Sequence, residues 1–295
     1  MRTLPRISIV TSCYNHENFI ERTIRSVLDQ RYPNLEFVVV NDGSTDNSGQ
    51  IIRRFQDEIS RYIELSDFRP SPVFALNRAF ETVSGDILGW LNSDDILLPK
   101  SLFVVAQVFQ DLPEAAWITG QASTINGRDE IVNTRVRRKT KLDFLNGDWS
   151  VIQQESTFFR RSIWENSGAK LDETWAFDTE LWTRFFEKGE LVHVDAPLGA
   201  FRRGSQSRST RNRSEFLSHS DAKIDGMRSR ASFGDRLSSL LWKGWQVRPL
   251  AQLMRAVPNR LLVLFFPKMS ELVASYVFEE DRWQMSRRSS FKRPQ

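Results

Sequence analysis

Two hydrophobic periods alternate along the first 120 residues. Arg6–Thr11 (RISIVT) is a short apolar run. Glu36–Val40 (EFVVV) is a β-branched run of the kind that fills a parallel strand buried on both faces. Tyr62–Leu65 and Asp86–Leu91 (DILGWL) predict further strands. Between them, apolar residues recur at helical spacing, as with Ile20, Ile24, Val27 and Leu28 inside Asn18–Gln30. The turn at residues 41–48 (NDGSTDNS) can cap a helix over Gly49–Ile59, and Pro72–Thr82 predicts another. Strands alternating with helices of about a dozen residues imply right-handed βαβ units and a parallel sheet, an α/β fold.

Beyond residue 213 the pattern turns helical. Leu237, Leu240, Leu241, Trp242 and Trp245 share a helical face, which Leu250, Leu253 and Met254 continue. Residues 261–278 (LLVLFFPKMSELVASYVF) are the most apolar stretch, but Pro267, Lys268 and Glu271 interrupt it, so no spanning helix is expected. The stretch suits packing on the preceding domain, subunit pairing or a bilayer interface. Residues 282–295 hold five basic and two aromatic side chains, which suits either an anionic membrane surface or a frayed terminus.

Composition narrows the class. A chain of 295 residues is long enough for about two domains. One cysteine, Cys13, excludes an internal disulfide framework and a Cys-based zinc cluster, and His16, His193 and His219 are too far apart in sequence to suggest a His-rich metal site. His193 falls in a strand and reads as a core histidine. The opening MRTLPRISIV lacks the long apolar region of a signal peptide, so a cytoplasmic location is the expectation. Residues 1–199 hold 22 basic and 29 acidic residues, a net of −7, whereas residues 200–295 hold 19 and 8, a net of +11. The basic part suits an anionic partner. The five arginines within residues 202–213 (RRGSQSRSTRNR) lack interleaved aromatics, which argues against nucleic acid.

Ligands on parallel sheets sit at the carboxyl ends of strands. Three such ends carry related chemistry: Thr11-Ser12-Cys13-Tyr14-Asn15, Asn41-Asp42-Gly43-Ser44 and Asn92-Ser93-Asp94-Asp95. A tyrosine ring can stack on a base, a lone carboxylate can accept from a base N–H, and a carboxylate pair can hold a hard divalent cation.

The segments ISIVTSCYNHENFIERTIRSVLDQRYPNLEFVVVNDGSTDNS, GDILGWLNSDDILLP, QQESTFFRRSIWENSG and LDETWAFDTELWTRFFEKGELVHVDAPLGAFR together resemble, in order and spacing, the family 2 glycosyltransferases of GT-A fold. The resemblance covers about residues 6–210. It implies a GT-A, Rossmann-like, mostly parallel sheet flanked by helices over residues 1–210, leaving a helical C-terminal extension with a basic tail over 211–295. It also implies a nucleotide-sugar donor, here expected to be UDP-linked, a divalent metal (Mn2+ or Mg2+) and inversion at the anomeric carbon. The acceptor would be a hydroxyl of a glycan or glycolipid. Bacterial cell-surface polysaccharide assembly is the usual setting, with peripheral contact at the inner face of an anionic membrane as a further expectation.

Carried over residue by residue, Thr11, Tyr14 and Asn15 stand in the nucleotide loop and Asp42 at the base. Asp94 matches the metal-binding acid of the DXD motif, whose first position is Asn92. Asp95 follows it, toward the donor sugar or the metal's surroundings. Asn77 and Arg78 lie in the stretch under the nucleotide and sugar, with Ser71 and Ala79 where relatives carry glycine. Arg202 and Arg203 stand near the diphosphate; Gly204 replaces a histidine of many relatives. Asp178 matches the general base, and Glu180 is the alternative, since positions i and i+2 of a helix do not share a face. The candidates for acceptor contact are Trp149 and Trp175. The alternatives are a degenerate GT-A fold that binds nucleotide or glycan without catalysis, which Asn92, Ser71 and Ala79 keep open, and a nucleotidyltransferase on a similar fold.

Overall fold

The structure, a computed structural model, describes residues 3–66, 72–136, 138–148, 152–204, 213–245 and 257–290. The N-terminal strand–helix alternation forms as the pattern predicts. In order come β1 (Ile7–Cys13), α1 (Ile20–Leu28), β2 (Leu35–Asp42), α2 (Ser48–Arg53), β3 (Arg61–Leu65), α3 (Val73–Phe80), β4 (Ile87–Trp90), the two-residue β5 (Ile96–Leu97), α4 (Ser101–Asp111), β6 (Trp117–Ile125) and β7 (Ile131–Arg135). Then follow α5 (Lys141–Leu145), β8 (Thr157–Arg160), α6 (Arg161–Asn166), α7 (Phe177–Lys188) and β9 (Leu191–Arg202). The remainder is α8 (Arg213–Ser229), α9 (Phe233–Trp245), α10 (Asn259–Phe265), β10 (Ser270–Val277) and β11 (Arg282–Ser289).

Among the described residues the strands form one sheet in the order β11-β10-β9-β6-β8-β4-β1-β2-β3, with β5 on β9 and β7 on β6. β3, β2, β1 and β4 are mutually parallel, as are β6, β9 and β10. β8 runs antiparallel to both β4 and β6 and joins the two parallel groups. The long parallel strands therefore all point one way, and the residues before β8 lie at their carboxyl edge.

Alternation along the central strands supplies two apolar layers. Ile7, Ile9, Phe37 and Val39 face a cluster with Ile24 and Val27 of α1 and Val105 and Phe109 of α4. Val10, Val38 and Val40 face the opposite cluster, with Leu76 of α3, Trp164 of α6 and Leu181 of α7. In that second layer Trp182 is sandwiched between Trp90, at 5.4 Å between ring centroids, and Trp117, at 5.5 Å, both nearly parallel to it. This stack spans β4, α7 and β6, so it fixes α7 against the sheet. Trp90 and Trp182 are core residues, as their place in a strand and a helix suggests.

The helical expectation past residue 213 holds in α8, α9 and α10 and fails over 270–289, while Leu250, Leu253 and Met254 lie outside the described residues. Pro267 ends the apolar run as a helix. The β-branched and aromatic residues after it pair instead with the edge of β9, Leu272 opposite Val192 and Ala274 opposite Val194. β11 then closes a hairpin on β10. Residues 282–289 are therefore not a frayed tail: Trp283 is buried, its N–H donates to Asp111, and Arg287 pairs with Glu190. The sheet thus runs across the expected division at residues 210 and 211. Residues 291–295 lie outside the described residues.

Truncating Trp182 removes the centre of the stack. Trp182→Ala should lower unfolding stability by about 3–5 kcal/mol, as for other buried large-to-small changes. Chemical denaturation of the full chain checks this, and a loss under about 1 kcal/mol would show that the stack does not anchor α7.

Candidate active site

Three loops meet at the carboxyl edge, and short polar side chains hold them together. Asn15, at a positive φ of 53° after β1, accepts from the Thr45 and Asp46 N–H groups after β2, while its own N–H donates to Ser44 Oγ. His16 places Nδ1 2.7 Å from Ser93 Oγ, and its N–H donates to Ser48 Oγ. Thr23 Oγ1 of α1 lies within hydrogen-bonding distance of the Ser93 and Asp95 carbonyls. The β1, β2 and β4 loops therefore form one unit. Thr11 and Asp42 are buried at the ends of their strands, and Tyr14 is half-buried beside them. Cys13 is buried too, and burial pushes its thiol up to about 11, so it is a packing residue and not a nucleophile.

The two neighbouring acids of the β4 loop differ. Asp95 is fully buried. It accepts from Arg202 N–H at 2.7 Å and from the Asn92 and Gln154 side-chain amides at 3.3 Å each. Burial pushes it well above the usual carboxylate range, with the Asp94 and Glu155 charges adding to the shift. Asp94 is half-buried, and its carboxylate takes no hydrogen bond among the described residues.

The arginines are divided in the same way. Arg202 is buried, and its guanidinium donates to the Asp94 and Asn126 carbonyls, pairs with Asp129 and lies 4.9 Å from the Phe19 ring centre. It clamps the β6–β7 turn onto the acidic loop, so its charge is already used inside the protein. Arg203 is exposed beside it, and among the described residues only its backbone N–H is bonded, to the Ile125 carbonyl. Arg78 points outward from α3 and pairs with Glu81. Asn77 makes a two-way bond to the Leu171 backbone, which ties α3 to the segment leading into α7.

Asp178 and Glu180 sit in the first turn of α7 and part company there. Glu180 is buried and pairs with Arg184, which also donates to the Ser167 and Lys170 carbonyls. Asp178 is half-buried and accepts from the N–H of Thr179. Removal from water pushes its carboxyl above the usual aspartate value, against the hydrogen bonds from Thr179. Trp175 is half-buried just before the helix, with its N–H toward His219 Nδ1. Trp149, Ser71 and residues 205–212 of the arginine-rich loop lie outside the described residues.

One acid at this edge escapes a search along strand ends. Glu155 lies just before β8, fully buried, and its Oε1 has no hydrogen-bond partner among the described residues. Burial pushes it up to about 8, and the charges of both Asp94 and Asp178 act in the same direction. Only the antiparallel direction of β8 brings it here. The signal in the sequence was an acid inside the QQESTFFRR segment, which no strand-end rule selects.

A model of the family described as "Glycosyl transferase family 2" matches residues 8–168. The chain belongs to glycosyl transferase family 2. A glycosyltransferase of Nostoc sp. is 26% identical over 210 residues, covering 66% of this chain and 60% of its own length. Poly-beta-1,6-N-acetyl-D-glucosamine synthase of Staphylococcus epidermidis is 28% identical over 137 residues, covering 46% of this chain and 30% of its own. The matches thus span less than two thirds of these relatives' own length. Among solved structures, S. aureus TarS 1–349 in complex with UDP-GlcNAc aligns at a TM-score of 0.58 and 17% identity, over 88% of this chain and 83% of that one. The mannosyltransferase PcManGT from Pyrobaculum calidifontis, in complex with GDP-Man and Mn2+, aligns at 0.51 and 18%, over 85% and 83%. At that identity they show the fold, which is GT-A.

The state of Glu155 can be read from stability. Its folded value is raised, so it contributes stability fully present below about 4.5, its ordinary value, and lost as pH rises to about 8. The loss runs at about 1.4 kcal/mol per pH unit. Glu155→Gln should therefore melt several degrees higher than the parent near pH 8.5 in metal-free buffer, with the gain vanishing toward pH 4.5. Parallel melting curves for parent and variant across that range would show that Glu155 ionises freely.

Proposed function

We propose that this family 2 chain transfers one sugar, with inversion, from a UDP-linked donor to a hydroxyl of a glycan or glycolipid. The observation that carries the reading is convergence. Asp94 from the β4 loop and Asp178 from α7, 84 positions apart in the sequence, both lie close enough to raise the buried Glu155, which supports assigning them the metal and the base of one site. TarS, whose structure contains UDP-GlcNAc, supports a UDP donor, and the polysaccharide synthase among the relatives supports a glycan product.

Tyr14, Thr11 and Asp42 line the nucleotide end. Asn15 acts on the donor indirectly, by holding the β1 and β2 loops together. Asn77 and Arg202 likewise shape the site from within, and Arg203 is the cation left for the diphosphate. Arg78, paired on the outer side of α3, has no part in this assignment.

A divalent metal fits the donor set in one form only. Among the described residues no three His, Cys, Asp or Glu side chains cluster as a complete metal site. Asp94 offers an uncommitted carboxylate and Asn92 an amide oxygen. Mg2+ and Mn2+ commonly take one or two protein ligands and complete their coordination with substrate phosphates and water. When bound, such an ion would neutralise the leaving diphosphate.

In this reading Asp178 takes the proton from the acceptor hydroxyl as its oxygen bonds to the anomeric carbon. The bond from that carbon to the diphosphate breaks, and the nucleoside diphosphate leaves on the opposite face. One base suffices, unlike hydrolysis with a carboxylate pair. Asp178 is favoured over Glu180 because Arg184 already occupies the Glu180 carboxylate. Its raised value also suits a base working near neutrality.

Asp178→Asn should keep donor binding and lose about 10²–10⁴-fold in turnover. Initial rates with a UDP-sugar panel, beside a thermal shift with UDP, separate the two effects. Full activity in that variant would remove Asp178 as the base. Asp94→Ala should abolish the Mn2+-dependent part of UDP binding, which at about 100 times the dissociation constant is worth about 2.7 kcal/mol of stability in the parent. An unchanged Mn2+-dependent shift would place the metal elsewhere, and no nucleotide shift in the parent would favour a non-catalytic fold.

A further inference from the structure

A helix packed on a water-soluble protein normally turns its apolar face inward and its polar face to solvent. α9 does the reverse. Its inward side carries Asp235, which pairs with Lys141 of α5 and with Lys268, and Ser239, whose Oγ donates to Asn146 Oδ1 at 2.5 Å. Its outward side carries Phe233, Leu237, Leu240 and Leu241, at positions i, i+4, i+7 and i+8, with Phe233 83% and Leu240 69% exposed. α10 repeats the arrangement. Leu262 packs inward with Leu142 and Met269, in a cluster that also takes Trp242 of α9. Leu261, Leu264 and Phe265 face out, the last two 70% and 68% exposed. One inner cluster thus anchors both helices while their apolar faces stay uncovered.

These faces carry cations without an acidic partner among the described residues. Residues 228–268 contain eight Lys or Arg and one acid. That acid, Asp235, is turned inward and pairs with Lys141 and Lys268, while Arg228 and Arg230 pair with Asp225 and Glu187. Arg236 and Arg260 are exposed on the same two helices. Among the described residues neither forms an ion pair.

We propose that the outward faces of α9 and α10 form a docking surface for an anionic lipid bilayer. Leu, Phe and Arg arranged in this way match a helix lying in the headgroup region, apolar side down and cations among the phosphates. A second copy of the chain is the poorer occupant, because a twofold contact would bring two surplus-positive surfaces together. The surface would hold the enzyme at a membrane while the crevice at the sheet edge stays on the folded body. The proposal uses no assumption about the reaction.

Vesicle flotation of the full chain tests it. Phosphatidylglycerol-containing vesicles should carry the protein, and pure phosphatidylcholine vesicles should carry at least about tenfold less. Leu240→Ser combined with Phe265→Ser should reduce binding to the anionic vesicles by at least about tenfold, with melting temperature and UDP binding unchanged. Both side chains are exposed, so the fold does not depend on them. Absence of binding, equal binding to both vesicle types, or equal binding by the variant would overturn the proposal. So would sedimentation showing a parent dimer that the variant loses, which would assign the face to a second copy. A failed flotation beside intact UDP binding leaves the glycosyltransferase reading standing, so the two proposals fail separately.

Discussion

Asp95 is the constraint on which the acidic edge depends. A fully buried carboxylate is costly unless donors replace the water it loses. Here the donors come from three places: the β4 loop through Asn92, the segment before β8 through Gln154, and the end of β9 through the Arg202 N–H. Satisfying one carboxylate therefore pins three chain segments distant in sequence. The Arg202 side chain extends the same knot to the Asp94 carbonyl and the β6–β7 turn. The neighbouring Asp94 carboxylate takes no hydrogen bond among the described residues, because Asp95 has absorbed the local donors. A pair of adjacent acids thus divides into one that builds the loop and one that faces the crevice.

β8 adds the second constraint. Because it runs against its neighbours, the chain enters the sheet at the edge where the parallel strands leave it. Glu155 is delivered there near Asp94 and Asp178, whose charges disfavour its ionised form. The site resolves this by holding its proton: burial and the two nearby carboxylates all favour the neutral form. Gly199 makes the packing possible, since a Cβ at that position would lie 2.1 Å from the Glu155 carbonyl oxygen. The close approach of β9 to this segment is thus built into the backbone.

The parts of the fold legible in the sequence are those set by local period. β1, β2 and β4, with their loops, follow from buried apolar runs bounded by turn residues, and the acids and Tyr14 at their ends follow with them. Long-range pairing was not legible. Residues 261–278 look like one apolar helix until the open edge of β9 claims the second half as β10, after Pro267 has broken the first. The roles of neighbouring polar residues were equally hidden. Arg202 and Arg203, or Asp178 and Glu180, differ little as letters. They are sorted only when Asp129 and Phe19 close on one, and Arg184 on the other. Glu155 stayed out of sight because the strand-end rule assumes a parallel strand.

The uneven charge noted along the chain acquires two physical meanings. At the sheet edge, negative charge is concentrated to the point that Asp95 and Glu155 are both pushed toward their neutral forms. A nucleotide diphosphate would bring more negative charge, so the proposed donor site would need cations, and of the two adjacent arginines Arg203 is the one whose side chain has no partner among the described residues. On α9 and α10, Arg236 and Arg260 border exposed leucine and phenylalanine. Cations placed beside uncovered apolar surface do little for an ion-pair network or for a soluble helix. They suit a boundary where apolar chains and phosphates meet.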